Sequence, residues 1–568
     1  MIDKDFNYPR PQLRRDDWNL LDGVWDFCFD ENNEGINQKY YQGFIKQYDI
    51  NVPFAYQTEL SGINITKEIN HVWYQKKINL SSVNAILHIE GSDYHTKVWV
   101  NGNLVGEDFG GYHRLSFDLN EHAIVGENLL VILVNDDYSV LKPRGKQRWK
   151  DENFGCWYTD TTGIYKSVWL EYVNDIFLKD IKITPDFDEK SVSMNFETSK
   201  PALKEVEVFY HDKLVDKKVT SQNEIKFYLK DEFHVWDLDS PELYDVKIRL
   251  IHDSKEVDNV YSYFGVRKLE IKNQRIYLNN HVLYQKLILD QGYFEKSGLT
   301  APSPNELLQD ILIMKEMGFN GARKHQKIED ERFFCFADVK GYLVWCEMPS
   351  MYLCNVQSQK TFKREWLLAL KQLYNHPSII TWVPFNESWG IEEIKENKDI
   401  QIFVNNIYYE TKAYDKMRFV ITNDGWEHTI SDILTLHHYE QDGDKLYKYF
   451  ETIEKTTNGL YEQSNKGAFA DSYKYQNQPI IFSEFGGTAF KDKTSGNNWG
   501  YGDGVKSKEE FIRRFKSLIE NLYNLSYLSG YCYTQLSDVE QEVNGLVYPN
   551  REPKIDSKII YDIISKKA

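Results

Sequence analysis

Ile379-Ile380-Thr381-Trp382-Val383-Pro384-Phe385-Asn386-Glu387 is a short apolar run that ends in a carboxylate, and Pro479-Ile480-Ile481-Phe482-Ser483-Glu484 repeats the pattern ahead of Phe485-Gly486-Gly487. A run this short and this apolar reads as a strand buried on both faces, as in a parallel sheet. Working outward, strand and helix patterns alternate over residues 268–568. The candidate strands are Val282 to Leu289, Asn320 to Lys324, Tyr342 to Glu347, Ile379 to Phe385, Phe419 to Asn423, Ile433 to His438, Pro479 to Ser483 and Gly530 to Leu536. Helical periodicity lies between them, as in Asn305 to Lys315, which Ser303-Pro304 starts, and in Lys508 to Phe515. Such a repeat predicts a (β/α)8 TIM barrel, whose functional residues gather at the C-terminal ends of its strands. Glu387 and Glu484 fall at those ends, after the fourth and seventh strands. Two such acids are what cleavage of a sugar acetal requires.

Upstream the pattern is all β. Ala85 to Glu90 and Lys97 to Gly106 are short β-rich runs, the second broken by Asn101-Gly102, a strong hairpin signal. Residues 1–173 therefore read as a β-sandwich. Val206 to Tyr210 and Tyr244 to Leu250 alternate with period two, and the span 174–267 suits an immunoglobulin-like β-sandwich.

A chain of 568 residues exceeds one hydrophobic core, which agrees with several domains. Its net charge of −18 is dispersed, and this argues against nucleic acid or an anionic membrane as partner. A small neutral ligand is easier to accommodate. The six cysteines lack metal-type spacing, and several sit in apolar runs, as expected in a reducing compartment. The stretch Met1 to Pro9 has no apolar segment of the signal-peptide kind, and no run is long enough to span a bilayer, so a cytoplasmic location is expected. Aromatics at 15% serve cores or sugar stacking, and alone do not discriminate.

These residues together resemble glycoside hydrolase family two, the group of β-galactosidases, β-glucuronidases and β-mannosidases. The resemblance rests on His376-Pro377-Ser378-Ile379-Ile380 leading to Asn386-Glu387, and on Pro9-Arg10-Pro11 followed by Leu21 to Phe27. It rests also on Val98-Trp99-Val100-Asn101-Gly102, on Thr162-Gly163-Ile164 before Val168-Trp169-Leu170, and on Phe264 to Lys268. It implies a jelly-roll sandwich, an immunoglobulin-like domain and a barrel, as in a minimal three-domain member. The implied activity is that of a retaining exo-β-glycosidase, with β-galactosidase leading over β-glucosidase, β-glucuronidase, β-mannosidase or β-galacturonidase types. Glu484 is the implied nucleophile and Glu387 the acid/base, which stays protonated because two neighbouring carboxylates in a partly dry cleft repel.

By the same resemblance Asn386 bonds the sugar 2-hydroxyl, Tyr439 donates to the nucleophile and Arg323 orients it; His325 is a further sugar contact. His437 and His438 point to opposite sides of a strand, so at most one reaches the cleft, and His438 is placed among the candidate contacts. Asp290 stands where relatives commonly have Asn-Arg-His-Glu and is expected to bind sugar hydroxyls. Glu347 to Leu353 offers no second hard ligand, so no metal and no cofactor are expected. Glu542-Val543-Asn544 replaces the asparagine and lysine that grip a uronate, and Glu542 would repel one. Thr534 stands where a tryptophan is usual. Trp157, with Tyr158 and Asp160, lies on a sandwich loop that either walls the sugar pocket or packs between domains. Trp389, Trp426, Trp499 and Tyr501 are candidate aglycone contacts. The competing class is a catalytically silent glycan-binding protein. A homo-oligomer is common in the family, though no residue here proves one.

Overall fold

The computed structural model describes residues 7–461 and 465–565, so the extreme ends of the expected first and third domains, with the start of the Met1 to Pro9 stretch, lie outside the described residues. Asn101 and Gly102 take φ of 52° and 81°, the left-handed conformation a two-residue hairpin turn demands. His95–Val100 accordingly folds back on Asn103–Phe109 at the edge of a six-stranded antiparallel sheet. A four-stranded sheet packs against it, and Trp25, Tyr74, Leu87, Val98, Leu130 and Leu170 fill the space between. The immunoglobulin-like sandwich pairs a three-stranded with a four-stranded sheet. Its alternation is borne out in register: Val206 faces Ile248 across the ladder and Val208 faces Val246, all four buried.

All eight barrel strands form in one parallel sheet. They are Gln285–Asp290, Gly321–Lys324, Leu343–Glu347, Ile379–Val383, Phe419–Val420, Leu434–His437, Ile480–Gly486 and Leu528–Thr534. Leu287, Leu289, Trp345, Ile481 and Cys532 fill the interior, while the alternate residues Ile288, Val344 and Cys346 pack beneath the helices. Ser303 caps the helix Pro304–Glu316 by accepting from Asn305 N, with Pro304 in the first turn. Ladder pairing runs from the fifth strand through the first to the sixth, which leaves one seam between fifth and sixth. Loop and side-chain bonds close it: Asp432 N donates to Val420 O at 2.9 Å, and Gly425 N donates to Thr435 Oγ1 at 3.2 Å.

The His376-Pro377-Ser378 motif is a domain joint. Asp338 accepts from Ser378 N at 2.9 Å, from the Tyr263 hydroxyl at 2.8 Å, and bonds His376 Nδ1 at 2.6 Å. The Arg267 guanidinium, at the end of the immunoglobulin-like sandwich, donates to the carbonyls of Pro377 and Ile379. The fourth barrel strand therefore starts from a fixed base.

Candidate functional site

Glu387 and Glu484 converge. An oxygen of each and a ring nitrogen of His437 all lie within 4.8 Å of one another. That spacing is the short one expected of a retaining pair, which has no room for a water between nucleophile and sugar. The two carboxyls differ in surroundings. Glu484 accepts from Arg323 Nη1 at 2.6 Å and from the Tyr439 hydroxyl, and His437 Nδ1 stands 3.6 Å away. Burial works against its charge, yet the cations His437 and Arg323 outweigh that and hold the carboxyl at about 2. Glu387 bonds only His437 among the described side chains, Oε1 to Nδ1 at 2.8 Å. Its acidity is weakened by burial first, with the nearby charge of Glu484 adding to it, against the hydrogen bond from His437.

Arg323 is the hub. Wholly buried, it pairs with Glu347 at 2.7 Å, Asp424 at 2.9 Å and Glu484 at 2.6 Å, and donates to Asn386 Oδ1 at 2.6 Å. Asn386 is thereby turned so that its Nδ2 donor is buried with no partner among the described residues. An unmet buried donor costs free energy unless a ligand or water supplies an acceptor. Glu387 and Ser388 have φ of 52° and 61°, unusual for side-chain-bearing residues. Glu387 N donates to Asp424 O at 2.9 Å, and Ser388 N to Asn423 Oδ1 at 2.9 Å, which holds this turn.

Of the adjacent histidines, His437 reaches the cleft, bonding Glu387 and, through Nε2, Asp424 at 3.2 Å. Despite burial, Glu484 and Asp424 push its pKa up to about 10. The expectation for His438 is corrected: its ring packs on Tyr449 and Phe450, at 5.5 and 5.0 Å, on the other side of the strand. Asp290 is corrected as well. It pairs with Lys324, not with inward-facing Arg323, so strand alternation turns it away from the cleft. Lys324 Nζ at 2.7 Å and Gly292 N at 2.8 Å occupy its two oxygens. Asp160 is a third correction, 2% exposed and engaged by Arg148 at 2.8 Å and Gln57 at 3.2 Å.

The aromatic residues do gather at the mouth. Trp157 packs on Trp389 at 5.5 Å and donates to the Tyr352 hydroxyl at 2.7 Å; Trp389 lies 6.2 Å from the His325 ring. Trp426 meets His437 edge-on at 5.6 Å. Trp499 Nε1 donates to Gly155 O at 2.9 Å, tying the sandwich loop to the barrel, and Trp499 touches Tyr501. Tyr501 stacks flat on Tyr439, and Gly487 at φ 62° leaves room for its ring. Thr534 adds a hydroxyl 3.2 Å from that of Tyr439.

Sequence reasoning named Tyr158, Glu542 and Asn544 but not the polar wall they form with Gln291, Gln535 and Lys146. Gln291 Nε2 donates to Gln535 Oε1 at 2.6 Å and to the Tyr158 hydroxyl at 3.0 Å. Gln535 Nε2 donates to Asn544 Oδ1 at 2.7 Å, and Asn544 Nδ2 to Glu542 Oε1 at 3.1 Å. Tyr158 donates to Glu542, and Lys146 Nζ stands 3.6 Å from it. The only signal for Lys146 was its place on the loop that carries Trp157. As for cations, Glu387, His437 and Glu484 are spaced to ligate a metal, although Arg323 and Tyr439 already claim both oxygens of Glu484.

The comparisons with known proteins follow the domains. Residues 18–173 match the sugar binding domain of glycosyl hydrolases family 2, residues 176–267 the central domain of that family, and residues 269–566 its TIM barrel domain. A putative beta-glucuronidase of Formosa agariphila is 27% identical over 62% of this chain and 44% of its own length. A beta-galactosidase of Thermoanaerobacter pseudethanolicus is 27% identical over 65% of this chain and 50% of its own. The chain thus spans about half the length of these curated relatives. A beta-glucuronidase of Streptococcus agalactiae is 23% identical over 94% of both chains. In fold, the β-glucuronidase of Ruminococcus gnavus superimposes with TM-score 0.80 at 17% identity, over 99% of this chain and 98% of that one.

Proposed function

The chain belongs to glycosyl hydrolases family 2, and from that premise we propose that it is a retaining exo-β-glycosidase acting on terminal β-linked neutral hexosides, β-galactosides first. The observation that carries this reading is the split between two acids that share His437: Glu484 is held ionised by the cations beside it, while burial and the charge of Glu484 shift Glu387 toward its protonated form. In the first step a Glu484 oxygen forms a bond to the anomeric carbon as the glycosidic bond breaks, and Glu387 gives its proton to the departing oxygen. In the second, Glu387 takes a proton from water, whose oxygen displaces Glu484 and restores both groups. Arg323 and Tyr439 are the donors that keep Glu484 charged and aimed, and the unmet Asn386 donor suits a sugar hydroxyl.

The relatives carry both β-galactosidase and β-glucuronidase names, so the sugar rests on this chain's own pocket. Glu542 in the polar wall supports the neutral sugar. Six free cysteines suit a cytoplasmic enzyme, which fractionation of source cells would check. The deciding experiment is hydrolysis of a panel of aryl β-glycosides, with the anomer of the first-formed sugar followed by NMR. Turnover with retention, lost by roughly 10^4-fold in Glu484→Gln, is expected. Sugar binding without turnover would leave only a glycan-binding protein.

A further inference from the structure

Lys146 leaves the sandwich loop as a buried side chain, 7% exposed, in the cleft between that loop and the barrel. Among the described residues its ammonium makes no hydrogen bond; the nearest carboxylate oxygen is Glu542 Oε2 at 3.6 Å. An ammonium carries three donors, and one that makes no hydrogen bond within the protein is open to a ligand that supplies an acceptor. Glu542 is itself anchored, by Tyr158, Asn544 and Gln291 at 3.4 Å. The wall connects to the chemistry through neighbouring residues: Gln535 follows Thr534, whose hydroxyl meets Tyr439, which donates to Glu484. Gln291 Oε1 is a buried atom without a partner among the described residues. Burial opposes the charge on Lys146, but Glu542 and, more weakly, the ionised Glu484 keep it protonated.

We infer that Lys146 and Glu542 form a two-sided reader for one hydroxyl group of the non-reducing sugar, and that this pair selects neutral hexosides against uronides. The inference rests on the glycosidase reading and deepens it. A hydroxyl is both acceptor and donor, so it takes a hydrogen bond from Lys146 while giving one to Glu542. A carboxylate bound to Lys146 is brought close to Glu542 Oε2 with nothing to donate, and like charges in a sparsely hydrated wall repel. The loop that carries Lys146 is pinned to the barrel by Trp499 and Gln541, the latter donating to Trp157 O at 2.9 Å, so the reader is held in place across the domain boundary.

The test uses the full chain with 4-nitrophenyl β-D-galactoside, its 4-deoxy and 6-deoxy analogues and the corresponding β-D-glucuronide. Lys146→Met is expected to lower kcat/KM on the intact galactoside by about 10- to 100-fold, the worth of a charge-assisted hydrogen bond. On one of the two deoxy sugars wild type and variant should be equal, and Lys146→Arg should restore part of the loss. Glu542→Gln should raise the glucuronide relative to the galactoside. Equal losses on intact and both deoxy sugars would reduce Lys146 to a structural part and overturn the inference. A wild type that prefers the glucuronide, with the preference erased by Lys146→Met, would overturn it in favour of carboxylate recognition. Calorimetric binding of the same sugars to Glu484→Gln reads the pair without turnover, so failure of the hydrolase reading and failure of this one are told apart.

Discussion

The two sides of the cleft are built on different plans. Around Glu484 and Glu387 every functional group comes from a barrel strand end, and each is fixed by another: Arg323 by Glu347 and Asp424, Asn386 by Arg323, His437 by Asp424. The polar wall takes Lys146 and Tyr158 from a sandwich loop, and Gln291, Gln535 and Glu542 from the loops and the end of the barrel's first and eighth strands. The first side sets a pair of acidities, a task that demands rigid donors. The second side presents hydrogen-bonding groups, a task that loops can vary. Chemistry and selectivity thus sit on separable parts of one pocket.

Breaking the first side should produce the larger effects. Glu387→Ala is expected to lower kcat on glycosides with poor leaving groups by about 10^2- to 10^4-fold, while activated aryl glycosides suffer far less, because they need no proton. A uniform loss across leaving groups, measured by steady-state kinetics, would remove Glu387 from the acid role. Tyr439→Phe removes a donor that favours the ionised form of Glu484, so the Glu484 pKa rises from about 2 and the acid limb of the kcat/KM profile moves to higher pH. The accompanying loss at the optimum should be about 10-fold. An unmoved acid limb would mean that Arg323 and His437 alone set that acidity.

The comparison is sharpened by residues that belong to neither side. Asp290→Asn should lower the melting temperature, since breaking a buried ion pair costs about 3 kcal/mol or more, with KM held within about twofold. A large KM change would return Asp290 to the sugar site. His438→Ala should change KM least of all, and a calorimetric melt should record only the lost packing on Phe450.

The barrel and the acid pair were legible because both write themselves locally. A buried strand is a run of apolar residues, and a strand-end acid follows it directly, as in Trp382 to Glu387 and Ile480 to Glu484. The three errors share a cause. Asp290, His438 and Asp160 were read from chemical type and chain position, whereas facing depends on register and on which partner arrives first, as Lys324 does for Asp290. Lys146 and Gln291 went unseen for the opposite reason. Their meaning comes from Glu542, Tyr158 and Gln535, which lie far along the chain and meet only once the domains dock. No local pattern encodes that encounter.

The seam between the fifth and sixth strands has a further implication. Asp424 and His437 stand on its opposite banks and attract each other across 3.2 Å, so part of what clasps the cylinder shut there is the same charge that tunes the acids. Alkaline pH that discharges His437, whose pKa is pushed up to about 10, would then loosen the staves at this joint and blunt the proposed reaction through one event, making it the place where the protein's mechanics and its chemistry give way together.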